Sequence, residues 1–242
     1  MKLNFLNNLG KYILSRLDPM FNLYMKNYLS KNAKLVKSYI QTLEYIENNK
    51  ILNKLDSKQE LLKHSLNEAK NGLFLEFGVY SGKSINYIAK HIDDNIVYGF
   101  DSFEGLPEEW RDNYPKGKFH VEQLPKVEDN VVLVKGWFDK TLEAFLNEHE
   151  GKIAFIHMDA DLYSSTKYVL ETILDYNRVH PGTVIQFDEF MNYPSWETNG
   201  EYLAFREWVE KNKIRYDFLG YVHKQKWPSY IGQQISIKIK SV

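Results

Sequence analysis

Residues 75–84 read LEFGVYSGKS: an apolar run with an acid, Glu76, then a turn holding Gly78 and Gly82, then residues that open a helix. A strand that enters a glycine turn and starts a helix points backbone N–H groups at a ligand. Three ligand classes compete for such a turn. A phosphate-gripping Walker loop needs four residues between its first glycine and Gly-Lys-Ser, whereas only Val79, Tyr80 and Ser81 separate Gly78 from Gly82. A dinucleotide fingerprint needs a third glycine in G-x-G-x-x-G spacing, which this turn lacks. What remains is E-x-G-x-x-x-G with an acid at the strand end, alongside a bare strand-to-helix turn.

Outward from this turn the chain alternates short β-rich runs with helical ones. The runs are LFLEF (73–77), IVYGF (96–100), VVLV (131–134), IAFIHM (153–158) and TVIQF (183–187), with helical segments near 82–91, 140–149, 164–178 and 200–212. Several runs are apolar on both faces, as a buried parallel sheet requires, so the class is α/β with a doubly wound, mostly parallel sheet. The tail QISIKIK (234–240) alternates apolar and polar residues, which predicts a late antiparallel edge strand. The irregular stretch 111–130, with two prolines and many charges, has the length of a functional lid.

Before Asn71 apolar residues recur at helical spacing: Phe5, Leu9, Tyr12, Ile13 and Leu17, then Val36, Tyr39, Ile40, Leu43 and Ile46. Ser57 and Glu60 make a capping box ahead of Leu62, Leu66 and Ala69. The chain therefore divides into a helical segment, 1–70, and a ligand-binding domain, 71–242. The helices are expected to cover that domain or to pair two copies as a dimer. Lys2, Lys11 and Arg16 beside the first stripe also suit a weak membrane-surface contact.

Composition bounds the rest. A length of 242 residues fits one large domain with an appendage, and 43% hydrophobic residues supply a core, which excludes disorder as the main state. Thirty-one basic against 32 acidic residues give a net charge of -1, so no positive field would hold a nucleic acid. The absence of cysteine excludes disulfides, thiolate zinc sites and a Cys nucleophile, leaving oxygen and imidazole as metal ligands. No run reaches the roughly 18 apolar residues of a transmembrane span. Asn4, Asn7, Asn8, Lys11 and Arg16 interrupt what a targeting signal would keep apolar, so a soluble, cytoplasmic protein is expected.

Two further signals carry chemistry. Asp101, in YGFDSFEGLP (98–107), ends the next strand 19 residues after Gly82, where an acid takes both hydroxyls of a ribose; a solvated turn or helix cap is the plainer role. HMDADLYSST (157–166) and FDEF (187–190) each put carboxylates directly after an apolar strand. Adjacent strands would bring Asp159, Asp188 and Glu189 to one sheet edge, three hard donors suited to Mg²⁺. Like charges so close need a cation or a proton. Asp161 is expected to cap the following helix and is not counted as a ligand. Asp159-x-Asp161 also reads as the metal site of a nucleotide-sugar glycosyltransferase, which leaves LEFGVYSGKS and Asp101 unexplained.

In order, EFGVYSGKS, DSFEGLP, VKGWFDKTL (134–142), MDADLYSST and PGTVIQFDEF (181–190) resemble the successive motifs of the macrocin O-methyltransferase family of class I S-adenosylmethionine enzymes, over about residues 72–190. The resemblance implies a seven-stranded sheet, S-adenosylmethionine and Mg²⁺ as cofactors, and a hydroxyl acceptor on a nucleotide-linked or glycan sugar. It places Glu76, Gly78, Tyr80 and Gly82, with Ser84 of the same motif, around the methionine end of the cofactor. Asp101 and Ser102 would meet the ribose, Gly136 and Trp137 the adenine side. Asp159, also beside the cofactor, would bind Mg²⁺ with Asp188 and Glu189. Two positions depart from the family: Ala160 stands where members have the Gly of Asp-Gly-Asp, and Glu189 where they have the second Asp of Asp-Asp.

Methyl transfer from a sulfonium chiefly requires an aligned acceptor oxygen and removal of its proton. A metal gripping two acceptor oxygens would do both, which makes Asp159 a catalytic residue through the ion. His157, His180 and His223 are candidate bases; His223 ranks first because it lies in a polar segment, and His157 reads as a core histidine. In the segment 191–208, Asn192, Tyr193, Trp196, Glu197 and Arg206 suit a sugar ring, or else Trp196 and Arg206 stitch a loop to the core. Arg111, Lys116 and Lys118 suit a diphosphate. A catechol-type phenol is the rival acceptor, and a non-catalytic scaffold the outcome if Glu189 fails to hold metal.

Overall fold

The computed structural model of the chain describes residues 19–92, 95–223 and 231–242. The stripe from Phe5 to Leu17, with its membrane-surface role, lies outside the described residues. The elements are α1 (Pro19–Asn48), β1 (Lys54–Leu55), α2 (Lys58–Glu68), β2 (Leu73–Phe77), α3 (Lys83–Ala89), β3 (Val97–Asp101), β4 (Val131–Lys135), α4 (Phe138–Glu148), β5 (Ile153–Met158), α5 (Tyr163–Asp175), β6 (Val184–Phe187), α6 (Gly200–Asn212), β7 (Arg215–Val222) and β8 (Ile235–Ser241). One sheet runs β1-β7-β8-β6-β5-β2-β3-β4, parallel except where β8 pairs with β6 and β7. Strands β2 to β8 form the expected doubly wound, seven-stranded, mostly parallel sheet. The two residues of β1 add an eighth strand, parallel to β7.

The strands are apolar because both faces are covered. Leu75, Phe77, Ile156, Met158, Ile185 and Phe187 pack with α4, α5 and α6, while Phe74, Phe155 and Val184 pack with Leu62 of α2 and Ile85 and Ile88 of α3. Ser57 caps α2, accepting the Glu60 N–H at 3.2 Å, but the Glu60 carboxylate takes the N–H of Asp56 at 2.9 Å rather than that of Ser57. The C-terminal half of α1 buries Ser38, Thr42 and Ile46 and inserts Tyr45 among Trp196 and Tyr202, ring centroids 5.4 and 5.3 Å away.

The tail strand corrects an expectation. β8 is antiparallel, but it lies between β6 and β7 and not at the edge. Its polar alternation is buried under α2: Ser236 Oγ lies 2.8 Å from Ser65 Oγ, and Lys238 Nζ donates to the carbonyl and carboxylate of Glu68 at 3.0 and 2.9 Å.

Candidate active site

The chain winds from β2 through β3 to β4 in one direction and from β5 to β6 in the other, so the strand order reverses between β2 and β5. Crevices form beyond the carboxyl ends of strands at such a switch point. The ladder carries on past the strands and levels their ends: Gly78 donates to Phe100, Asp159 to Phe77, Asp188 to Met158 and Gly136 to Asp101, each N–H to carbonyl at 2.9 Å. Gly78 sits at φ 95°, and a Cβ there would strike the carbonyl of Asp159. Glycine is what lets the turn after β2 lie against the end of β5.

Over this edge opens a cavity of about 630 Å³. Gly78, Tyr80, Asp101, Ser102 and Trp137 line one part, Trp110, Arg111 and Tyr114 another, and Asp159, Asp161 and Glu189 the region between. Among the expected cofactor residues, Glu76, Gly82, Ser84 and Gly136 are not on its wall. Glu76 is fully buried and bonds His157 Nδ1 at 2.9 Å. Gly82, at φ 76°, is the N-cap of α3. Asp101 organises the glycine turn: Oδ2 accepts the N–H groups of Val79 and Tyr80, both at 2.8 Å, and Oδ1 that of Phe103 at 2.7 Å. The carboxylate is thus fixed at the cavity wall with acceptor capacity left over.

The acids behave as a coupled group. One carboxylate oxygen each from Asp159, Asp161 and Glu189 lie within 4.8 Å of one another, and His157, Asp159 and Asp188 make a second such set. Burial, then the Asp188 charge, pushes the Asp159 carboxyl up to about 6. Burial and neighbouring acids likewise hold Asp161 and Glu189 well above the usual range. Asp188 goes the other way: burial opposes its ionisation, but the nearby His157 and the charge of Lys58 hold it low. Lys58 Nζ is 2.6 Å from Asp188 Oδ2 and 3.7 Å from Asp159 Oδ2. Glu189 Oε2 is buried with no hydrogen-bond partner. Converging hard oxygens, one of them orphaned, fit a divalent cation.

Several expectations meet a different geometry. Asp161 does not cap α5, whose N-cap is Leu162; it takes φ 61° and lines the cavity with Asp159. Asp188, expected beside Glu189 as a ligand, is engaged by Lys58 and is not on the cavity wall. His223 follows β7, two strands from β6, and donates its backbone N–H to Leu55 at 2.7 Å, outside the cavity lining. His180 precedes β6 and so sits at the opposite sheet edge. Trp196 is fully buried in the Tyr45 cluster, Asn192 donates to the Ile231 carbonyl, and Glu197 accepts from Gln41, so these residues stitch segments together. The aromatic wall is supplied instead by Trp110 and Tyr114, with the Arg111 guanidinium 3.7 Å and 4.8 Å from their ring centroids and 5.3 Å from that of Tyr193. Lys118 Nζ lies 5.8 Å from the Tyr114 ring. Lys58 and Glu201 carry no sequence signal, because only tertiary packing brings their side chains to the site.

Residues 75–190 match the family model described as a methyltransferase domain. Over 163 residues the chain is 28% identical to the 8-demethyl-8-(2,3-dimethoxy-alpha-L-rhamnosyl)-tetracenomycin-C 4'-O-methyltransferase of Streptomyces olivaceus, covering 57% of this chain and 60% of that protein. The match thus spans less than two thirds of that relative's length. Among solved structures, the chain is similar to apo CalS11, a TDP-rhamnose 3'-O-methyltransferase of calicheamicin biosynthesis, at 24% identity and TM-score 0.49 over 92% of this chain and 96% of that one. It is also similar to the Bacillus cereus O-methyltransferase in complex with SAH, at 16% identity and TM-score 0.47 over 90% and 97% of the two chains. The matched segment is the one that carries the glycine turn, Asp101 and the acid-bearing ends of β5 and β6, so the likeness to a methyltransferase domain falls on the residues that line the cavity.

Proposed function

We propose that the chain is an S-adenosylmethionine-dependent O-methyltransferase acting on a sugar hydroxyl, with Mg²⁺ at its acid cluster. One observation carries the proposal: the turn ordered by Asp101 and the carboxylates of Asp159, Asp161 and Glu189 face the same cavity. Gly78, Tyr80, Asp101, Ser102 and Trp137 hold the cofactor, whose sulfonium methyl is already activated. The ion would be held by Asp159 and Glu189, with Asp161 converging on them, and by Asp188 where Lys58 gives way. Bound Mg²⁺ would supply Lewis-acid polarisation of an acceptor oxygen.

The chain's own residues do the positioning. Trp110 and Tyr114 offer apolar faces for a sugar ring, and Arg111, stacked on Trp110, offers N–H donors to an anionic substituent such as a diphosphate. Among the described residues no histidine lines the cavity, so carboxylates are its proton acceptors. Asp159, whose carboxyl burial raises to about 6 in the metal-free chain, is ionised at neutral pH, and a carboxylate oxygen left free by the ion would take the hydroxyl proton. The sugar acceptor also draws support from the rhamnosyl substrate in the name of the Streptomyces relative. Pairing of two copies through α1, on which Leu35, Ile40 and Leu43 are exposed, and a cytoplasmic location belong to the same proposal. Among the described residues no helix is long and apolar enough to cross a membrane.

Isothermal titration tests it. S-adenosylhomocysteine should bind one per chain and Mg²⁺ should add a second, chelator-reversible event. Binding of a nucleoside diphosphate with Mg²⁺, and none of S-adenosylhomocysteine, would favour a glycosyltransferase instead.

A further inference from the structure

We infer that Lys58 is a resident cation on the Asp159–Asp188 carboxylate pair that a divalent ion must displace, so that Lys58 sets the metal affinity of the site. The inference rests on the proposed metal reading and concerns a residue outside the matched domain, at the first position of α2. The ammonium lies 2.6 Å from Asp188 Oδ2 and 3.7 Å from Asp159 Oδ2, covering oxygens that would otherwise face an ion. Asp188 has no alternative use for that oxygen: it is 6% exposed, and its Oδ1 has no hydrogen bond and faces His157 Nε2 at 3.8 Å. His157 is itself fixed by Glu76 through Nδ1.

An ammonium and a divalent ion cannot both use Asp188 Oδ2 at contact distance, and each repels the other at the pair. The Lys58 side chain is 33% exposed on a flexible four-carbon stem, so its head can swing into water without moving the backbone of α2. The acid pair is therefore compensated in the metal-free protein, and the ion replaces that compensation. An ordinary surface ion pair would be indifferent to metal, since such pairs contribute little and share no ligand oxygen with it.

The test is titration of Mg²⁺, and of Mn²⁺ followed by its electron paramagnetic resonance signal, into the full chain saturated with S-adenosylhomocysteine. Lys58→Met, which keeps the stem and removes the charge, should bind either ion about ten-fold more tightly than the native chain. Lys58→Gln should shift the same way, while Lys58→Arg should stay within about two-fold of native because the charge remains. Equal or weaker ion binding by folded Lys58→Met and Lys58→Gln, beside measurable binding by the native chain, overturns the role of Lys58 alone. Absence of ion binding in native chain and variants alike overturns the metal reading and the Lys58 role together.

Discussion

The carboxylate of Glu201 accepts the backbone N–H of Glu189 at 3.0 Å through one oxygen and that of Ala160 at 3.1 Å through the other. One fully buried side chain in the first turn of α6 thus fastens the loop after β5 to the loop after β6, the two loops that carry the acid cluster. Burial, then the charges of Asp159 and Asp161, hold its own carboxyl well above the usual range. Its place is therefore that of a brace behind the cluster.

Glu201→Ala should leave two buried N–H groups without acceptors, at about 1–3 kcal/mol each. We expect a loss of about 2–4 kcal/mol in urea unfolding, with Glu201→Gln, which keeps one good acceptor, losing about half as much. Native-like unfolding of Glu201→Ala would remove the brace.

Stability should fall as pH rises in the absence of metal. Asp159 binds more protons folded than unfolded, since its carboxyl moves from 3.8 to about 6, so its contribution is lost progressively across that window as the pH climbs. His157 adds to the trend: burial lowers it, but the nearby Asp188 carboxylate and the hydrogen bond to Glu76 outweigh burial and lift it to about 10, giving stability that is full below 6.5 and lost towards 10. Asp188 acts oppositely and only at the acid end, its stabilisation being present above 3.8 and lost below. Calorimetric melting at a series of pH values should show Tm declining from pH 5 to 9, and Mg²⁺ flattening the decline. A metal-free Tm that is constant or rises over that range contradicts the coupling.

Asp101→Asn replaces a carboxylate that accepts three backbone N–H groups with an amide that has a single acceptor oxygen. S-adenosylhomocysteine affinity should drop by roughly ten- to a hundred-fold, because the turn loosens and the charge-assisted bonds to the ribose are lost. Unchanged affinity in the folded variant would take Asp101 out of the cofactor site.

Arg111→Ala should raise the KM for a diphosphate-bearing sugar by about ten-fold or more while leaving S-adenosylhomocysteine affinity within about two-fold, since the guanidinium stands on the Trp110 side of the cavity. Arg111→Lys should restore little, as the planar stack on Trp110 is lost with the charge geometry. An unaltered KM would leave Arg111 with a packing role only.

The sheet was legible because buried parallel strands must be apolar, and the helix at 200–212 because a helical run follows the last of them; the structure adds its cap, Asn199 accepting the Gly200 N–H at 2.8 Å. The tail misled because alternation reports a polar face and not what covers it; Ser236 and Lys238 are polar for Ser65 and Glu68 of α2. β7 escaped because RYDFLGYV mixes charge, aromatics and glycine without a clean period. Carboxylates at strand ends could be placed by topology, since register alone sets Asp159 beside Asp188. Trp196 could not be, because sequence cannot tell a stacking face from a core plug. Lys58 and Glu201 act across sequence separations of 130 and 12 residues on partners that only tertiary packing brings near.

Transfer of a methyl group to a sugar oxygen is the reaction to be measured. Incubating the chain with S-adenosylmethionine carrying a ¹³C-labelled methyl, Mg²⁺ and a panel of nucleoside-diphosphate sugars beside simple catechols measures it directly by carbon–proton correlation. The expected result is a labelled methyl ether on a sugar hydroxyl, lost in excess chelator and restored by Mg²⁺. Labelled catechol with no labelled sugar, or undiminished transfer in chelator, would contradict it.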